Sequence, residues 1–150
     1  MIDISELKNF DFFNGMSDAQ LKSISEIAVL KEYQKDDCLE KEGMESNNMY
    51  IIKSGKIAFE TILYGEKVAR LGVALEGDYF GETSIIPPHK CSTTRVALEN
   101  SVVLVIDGIR LRERCESDSE LGYIVMKDIT KMLITQMRRT REQLIHSHWG

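Results

Sequence analysis

The sequence has little of what indicates a secreted, membrane-spanning or nucleic-acid-binding protein. Its three cysteines, Cys38, Cys91 and Cys115, lie far apart without metal-ligand spacing, so we expect reduced thiols in a cytoplasmic protein. No apolar run approaches the ~20 residues that a membrane-spanning helix needs. The net charge of −5 offers no basic excess for a nucleic-acid surface. We therefore expect neither a membrane nor a nucleic acid as a partner of this chain.

The sequence also lacks a recognisable catalytic constellation. No Ser/His/Asp, Cys/His or paired-carboxylate arrangement stands out, and each candidate nucleophile is without a motif partner. We expect no catalytic residue, no metal site and no enzymatic activity. Of the 150 residues, 43% are hydrophobic and 29% are charged, which suffices for one globular domain with a sizeable core.

Two helical regions flank a region of short strands. Ser17 and Gln20 form a capping box, which predicts a helix over residues 17–28. Over residues 29–107, seven short apolar or alternating runs are separated by turn residues, which is typical of an antiparallel sandwich or jelly roll. Residues 83–86 are briefly helical in pattern before Pro87 and Pro88. We divide one expected domain, 1–150, into N-terminal helices (1–28), a β-roll (29–107) and C-terminal helices (108–150).

The last helix carries apolar residues at three- and four-residue spacing. Ser117 and Glu120 offer a capping box at its start, and no proline follows. The pattern is heptad-like and predicts a seam about 30 Å long, formed by Met126, Ile129, Leu133, Met137, Thr140 and Leu144. One small roll covers such a seam only in part. We therefore expect a homodimer that joins two copies along the C-terminal helix.

The most informative segment is residues 76–86, in which Gly77 and Gly81 flank an aromatic pair and Glu82 follows directly. Glycine lets a backbone approach a ligand closely, and amides entering a short helix can hold an anion. A carboxylate beside such amides would repel a phosphate and better accepts hydrogen bonds from hydroxyls. Both glycines could serve only as turn residues. Bare amides for a phosphate together with a carboxylate for a sugar favour a nucleotide site.

This segment, with Arg95, Val96 and Ala97 downstream, resembles the phosphate-binding cassette of cyclic nucleotide-binding domains. Residues 7–13, 50–57 and 103–107 resemble further parts of that family, so the resemblance covers nearly the whole chain. It implies a mainly β fold, an antiparallel β-roll or jelly roll with N-terminal helices, a short cassette helix and a long C-terminal helix. It also implies a regulatory module for a small ligand such as cAMP or cGMP, with pocket occupancy coupled to the position of the C-terminal helix.

The resemblance further implies a ligand site in and after the cassette. Glu82 would bind the ribose 2′-hydroxyl, and the Gly81 amide would help to hold the ligand. The C-terminal helix would close over the base, with Thr135, Gln136 and Met137 approaching it. The candidate ligand-binding residues are Phe80, Gly81, Glu82, Thr83, Ser84, Cys91, Ser92, Thr93 and Arg95.

The chief departure from the family pattern is Cys91. An ungapped count from Glu82 places Cys91 where the family has its phosphate-binding arginine, whose planar fork donates two parallel hydrogen bonds. Three interpretations stay open: Lys90 or Arg95 supplies the charge, the cavity binds another small molecule, or the fold is a ligand-free, dimerising interaction domain. Arg95 lies about 13 Å further along the strand. An unpaired arginine facing inward is costly, so we expect Arg95 to pair with Glu82, another carboxylate or an anion.

The tripeptide His89-Lys90-Cys91 permits one more interpretation. Histidine and cysteine are common axial ligands of haem, and some members of the superfamily bind haem through residues of this domain. The alternative is an exposed loop histidine beside a half-buried cysteine.

Overall fold

The computed structural model describes residues 1–149. Its first two α-helices each begin at a side-chain N-cap, Asp3 and Ser17. Helix α1 (Ile4–Leu7) is followed by a 3-10 turn (Asp11–Phe13) and by α2 (Asp18–Ser25). The predicted capping box is confirmed: the Gln20 N–H donates to Ser17 Oγ at 3.2 Å, and the Ser17 N–H donates to Gln20 Oε1 at 2.9 Å. The prediction that this helix reaches residue 28 is wrong, because the chain has already entered the first strand there.

Within residues 1–149, eight strands form two four-stranded sheets whose paired strands are all antiparallel, in the orders β1-β8-β3-β6 and β2-β7-β4-β5. This confirms the predicted antiparallel β-roll. The alternating runs identify every strand except β6, which has two residues and is too short for a period-2 pattern. The strands are β1 (Ala28–Tyr33), β2 (Cys38–Glu40), β3 (Asn48–Ser54), β4 (Ile57–Ile62), β5 (Val68–Ala74), β6 (Tyr79–Phe80), β7 (Thr94–Ala97) and β8 (Ser101–Asp107).

The central strand β3 is buried on both faces. Met49 and Ile51 pack against the helices, whereas Tyr50 and Ile52 point to the interior of the roll. Successive side chains of a strand alternate between faces, so a continuous apolar run results where both faces are covered. The first sheet therefore separates two apolar clusters, one beneath the helices and one inside the roll.

Two helices complete the chain: α3 (Gly108–Ser117) and the 31-residue α4 (Ser119–Trp149). The expected capping box at Ser117 does not form. Ser117 Oγ donates to the Arg114 carbonyl, and Asp118 instead accepts the N–H of Leu121 at 3.1 Å. Asp118 has an extended backbone (φ −129°, ψ 98°), which separates α3 from α4. Among the described residues, no helix combines the length and apolar character that a membrane crossing requires.

The predicted apolar seam of α4 divides into two halves. Ile129 is buried and Met126 half-buried against the roll. Beyond them, Leu133, Met137 and Leu144 are 44%, 49% and 51% exposed. The roll of the same chain therefore covers only the N-terminal half of the seam.

Candidate functional site

The cassette is a short 3-10 turn, Glu82–Ser84, that Gly81 begins. Gly81 has a φ of +92°, and a Cβ there would overlap the carbonyl oxygen of Asn48 on β3. Only glycine satisfies both the left-handed conformation and this close approach. Gly77 also has a positive φ, but no atom lies within 4 Å of its would-be Cβ, so it serves as an ordinary turn glycine.

The cassette turn is also tightly packed against the start of α3. Ser84 is fully buried, and its hydroxyl donates to the Gly81 carbonyl at 2.7 Å. Gly108, the first residue of α3, lies against Ser84 so closely that a Cβ would overlap the hydroxyl, and its N–H donates to the Asn47 carbonyl at 2.8 Å. The turn therefore cannot move without moving the N-terminus of α3.

A cavity of about 550 Å³ lies between the mouth of the roll and α4. The roll contributes Glu82, Ser92, Thr93 and Arg95 as its polar wall. The opposite wall is one face of α4, formed by Lys131, Met132, Thr135, Gln136, Arg139, Thr140 and Gln143. These residues recur every three or four positions, which places them on one side of a helix. The cavity has the size of a small-molecule site.

Three residues of the roll wall carry buried polar atoms without a hydrogen-bond partner. Within residues 1–149 these atoms are Glu82 Oε2, Thr93 Oγ1 and Arg95 Nε. A buried polar group left unpaired costs about 1–3 kcal/mol, so such groups are few in folded proteins and call for an explanation. All three residues line the cavity.

Arg95 is held between a carboxylate and two aromatic rings. It lies opposite Glu40 on one neighbouring strand and Phe59 on the other. Its Nε is 3.6 Å from Glu40 Oε1, and the two side chains are 7% and 9% exposed. This distance is that of an ion pair and is too long for a hydrogen bond. The Arg95 Cζ lies 3.9 Å from the Phe59 centroid and 4.8 Å from that of Phe80, in cation–π geometry.

Burial is the largest cause of the pKa shifts of both Arg95 and Glu40. Burial lowers the pKa of Arg95, whereas Glu40 and Glu82 oppose that shift. Burial also raises the pKa of Glu40, and the neighbouring Arg95 limits the rise. The expectation that Arg95 pairs with a carboxylate is met by Glu40.

One family model matches more than half of the chain. This model, described as "cyclic nucleotide-binding domain", matches residues 30–118. The chain belongs to the cyclic nucleotide-binding domain family. The matched region runs from β1 to Asp118, and thus contains the cassette and the polar roll wall.

Relatives and solved structures agree with this assignment. The chain is 29% identical over 100 residues to the cAMP-dependent protein kinase regulatory subunit of Candida albicans, covering 67% of this chain and 21% of the relative. The chain spans 10–39% of the length of the first curated relatives that it matches. A Geobacter metallireducens protein assigned as a cyclic nucleotide-binding protein has 25% identity and a TM-score of 0.83, covering 91% of this chain and 99% of the other.

One further solved structure has the same fold. It is the regulatory subunit of a cAMP-independent protein kinase A from Trypanosoma brucei, in a triple mutant with cAMP in the A site. It has 20% identity and a TM-score of 0.75, covering 94% of this chain and 50% of the other. At that identity the likeness shows the fold alone.

Cys91, which the ungapped count from Glu82 assigns to the family's arginine position, does not line the cavity. It is 4% exposed, and its Sγ lies 3.8 Å from the Glu45 carbonyl oxygen. Burial, with the nearby Glu40, raises the pKa of the Cys91 thiol to about 11. The side chain is therefore neutral near pH 7 and provides no charge for an anion. Arg95 is the buried cation of the roll wall, whereas the neighbouring Lys90 is absent from it.

The cavity brings together six of the twelve residues predicted for the site: Glu82, Ser92, Thr93, Arg95, Thr135 and Gln136. The other six lie elsewhere. Phe80 is in the core, stacked on Tyr50 with ring centroids 4.9 Å apart, and Thr83 Oγ1 donates to Ser46 at 2.8 Å. Gly81 and Ser84 are buried within the cassette itself, and Cys91 is buried beside the Glu45 carbonyl. Met137 is exposed on α4 outside the cavity lining.

Sequence reasoning missed several lining residues, above all Lys131, Arg139 and Gln143. The signal was present, since these positions lie four residues apart in a series that contains Thr135.

The haem interpretation finds no support in the placement of His89. Its Nδ1 lies 2.9 Å from the Thr83 carbonyl oxygen, and its Nε2 lies 2.6 Å from Arg112. Neither His89 nor Cys91 lines the cavity. His89 instead joins the cassette loop to α3.

Proposed function

We propose that this chain is a regulatory domain, spanning residues 1–150, that binds a nucleotide-like anion between the β-roll and α4. The observation that carries the proposal is that three residues lining one cavity, Glu82, Thr93 and Arg95, each have a buried polar atom without a hydrogen-bond partner. A carboxylate, a hydroxyl and a guanidinium are the groups that a ribose and a phosphate require. Glu82 accepts hydrogen bonds from ribose hydroxyls, and Arg95 donates to the anionic group.

Cyclic nucleotides are the first candidates for this ligand, with cAMP and cGMP as the reference compounds. The Candida albicans relative is cAMP-dependent, and the Trypanosoma brucei mutant holds cAMP. Because Cys91 is neutral and lies outside the cavity, the phosphate contact falls to Arg95. We therefore expect cAMP itself to bind with a Kd above about a micromolar, since the family's charge-assisted contact is displaced.

The direct test is calorimetric titration of cAMP, cGMP and a cyclic dinucleotide into the chain and into Glu82→Gln. We expect at least one nucleotide to bind, and Glu82→Gln to weaken it about tenfold, because a carboxylate–hydroxyl hydrogen bond is worth about 1.5–3 kcal/mol. A 2′-deoxy analogue should bind both proteins equally, and Glu76→Gln, outside the cavity lining, should change nothing. Failure of every nucleotide to bind would refute the proposal.

We propose that Tyr79 couples the cavity to α4. Tyr79 lines the cavity directly before the cassette, and its hydroxyl donates to the Asp128 carbonyl of α4 at 2.6 Å. Its ring packs edge-on against Phe12, with centroids 5.0 Å apart. Burial raises the pKa of Tyr79 to about 12, so the hydroxyl remains a donor at neutral pH. A ligand that shifts the cassette would shift this contact, and differential affinity for the two positions of α4 provides the signal.

Hydrogen exchange measured with and without nucleotide tests this coupling. We expect ligand to slow amide exchange over residues 125–143 of α4. In Tyr79→Phe, which keeps the ring and removes only the hydroxyl, binding should stay within about threefold while the protection of α4 is lost, because one hydrogen bond is removed. If α4 is protected equally in both proteins, Tyr79 does not transmit the signal.

We propose in addition that the exposed half of the α4 seam forms a homodimer. Leu133, Met137 and Leu144 are each about half exposed, and a second copy of α4 around a two-fold axis would cover them. A ligand-free, dimerising interaction domain is the alternative function, and this surface is the observation in its favour.

Light scattering at tens of micromolar tests the dimer. We expect about twice 17.1 kDa, and we expect Leu133→Glu to give a monomer, because a charge would be buried in the contact. Leu63→Glu is the matched control, since Leu63 has a similar exposure of 48% and lies in the β4–β5 connection, outside the α4 seam. A monomer for the unmodified chain would exclude the dimer.

A further inference from the structure

The part of α4 that covers the cavity is strongly basic. Between Ile129 and Arg141 the helix carries four cations and no carboxylate, although the chain has a net charge of −5. These cations are Lys131, Arg138, Arg139 and Arg141. None of the four forms an ion pair within residues 1–149. Only Arg138 and Arg141 are three residues apart and repel each other at helical spacing, and the nearest carboxylates along the helix, Asp128 and Glu142, lie just outside this stretch.

Two of the four cations line the cavity. Lys131 and Arg139 are eight residues apart, on the same side of α4 as Thr135, and lie about 12 Å from each other along the helix axis. Arg138 and Arg141 are not part of the wall. The cavity therefore receives positive charge from α4 as well as from Arg95 in the roll.

Carboxylates of the wall do not offset this charge. Asp78 is engaged in its own turn, where its Oδ2 accepts the Leu75 N–H at 2.9 Å. Glu82 is the other carboxylate of the wall, and Glu40, which pairs with Arg95, does not line the cavity. Of the three lining cations, Arg95 is already paired with Glu40, whereas Lys131 and Arg139 have no ion-pair partner within residues 1–149. A single anionic group held by Arg95 would leave the α4 cations without a partner.

We propose that the ligand of this cavity carries two separate anionic groups, one held by Arg95 and the other by Lys131 and Arg139. The chemical class is a nucleotide with two phosphate groups at separate positions, as in a cyclic dinucleotide. This inference rests on the proposed function and names its ligand class. The ligand, with one anionic group on each wall, then bridges the two walls and draws α4 towards the roll.

Binding of cAMP, 5′-AMP and cyclic di-AMP to the chain, measured by calorimetry, tests the inference. cAMP carries one anionic group of one charge, and 5′-AMP carries one anionic group of up to two charges. Cyclic di-AMP carries two separate anionic groups. We expect cyclic di-AMP to bind at least tenfold more tightly than either mononucleotide. Arg139→Gln should weaken cyclic di-AMP at least fivefold and cAMP less than twofold. Arg138→Gln, the neighbouring cation outside the wall, should leave both affinities within twofold.

The outcomes separate this inference from the proposed function. Equal affinities for cAMP and cyclic di-AMP, or an equal loss of both in Arg139→Gln, would overturn the two-anion ligand and leave a nucleotide site in place. An Arg138→Gln effect as large as that of Arg139→Gln would also overturn it, because the charge would then act at a distance. If no nucleotide binds, the proposed function itself fails. Arg139 is exposed, so unchanged circular dichroism is the expected control for folding.

Discussion

Replacing Arg95 with methionine should lower the free energy of unfolding by about 3–5 kcal/mol, because it leaves the Glu40 carboxylate buried without its cation. Urea denaturation followed by circular dichroism measures the change. The double variant Glu40→Gln/Arg95→Met should recover most of the loss, since no buried charge then remains unpaired. It should keep the fold and still lose nucleotide binding, which separates the structural role of Arg95 from its ligand role. Equal stability of Arg95→Met and the unmodified chain would contradict the ion pair.

The stability of the single variant Arg95→Met should depend on pH in a characteristic way. Burial raises the pKa of Glu40 above its unfolded value. Such a carboxyl contributes stability at low pH that is lost as the pH rises through its folded-state pKa. Without Arg95 the folded-state pKa of Glu40 rises further, so the variant loses more of its free energy of unfolding near neutral pH. The stability deficit of Arg95→Met should therefore shrink as the pH is lowered towards 5, and a deficit that is constant between pH 5 and 8 would contradict this account.

Moving the arginine to the family's position should raise the affinity for cAMP at least tenfold. The double substitution Cys91→Arg/Arg95→Val places a guanidinium beside the cassette and removes its competitor for Glu40. A charge-assisted contact with phosphate is worth about 1.5–3 kcal/mol, or roughly ten- to a hundredfold in affinity. Calorimetric titration with cAMP measures the gain.

Two controls make this result interpretable. Cys91→Ser/Arg95→Val removes the same groups without adding a charge, and it should bind cAMP no better than the unmodified chain. Cys91→Arg alone should gain less than the double variant, because two buried guanidinium groups then share one carboxylate. If the double variant folds and gains nothing, the position of Cys91 does not correspond to the family's arginine.

The roll was predictable from sequence because alternation and turn residues are local. Strand β3 does not alternate, because both of its faces are buried, but its short apolar run between turn residues is an equally local signal. Strand β6 has two residues and no local period, so it could be found only through its pairing with β3. The cap of α4 was misplaced by one residue, since Ser117 and Asp118 are both good capping residues and only the folded chain decides between them.

The candidate site was predictable in its cassette and only in part in its opposite wall, where the resemblance located Thr135 and Gln136. Glu82, Thr93 and Arg95 belong to a motif of contiguous sequence, so the resemblance located them. Lys131 and Arg139 face them only because α4 crosses the mouth of the roll, a contact between distant parts of the chain. The pairing of Arg95 with Glu40 likewise depends on the register of β2 and β7, which contains an irregularity that no pattern announces.

The break at Asp118 gives α4 the mechanics of a lever. Upstream, the cassette turn and α3 are locked together at Ser84 and Gly108, so they move as one body. Downstream, a continuous helix of 31 residues is about 46 Å long. A rotation of about 5° at Asp118 therefore displaces the far end of α4 by about 4 Å, from the same rise per residue. Under the proposed coupling, such a rotation would reach Trp149 as a displacement comparable with the width of a side chain.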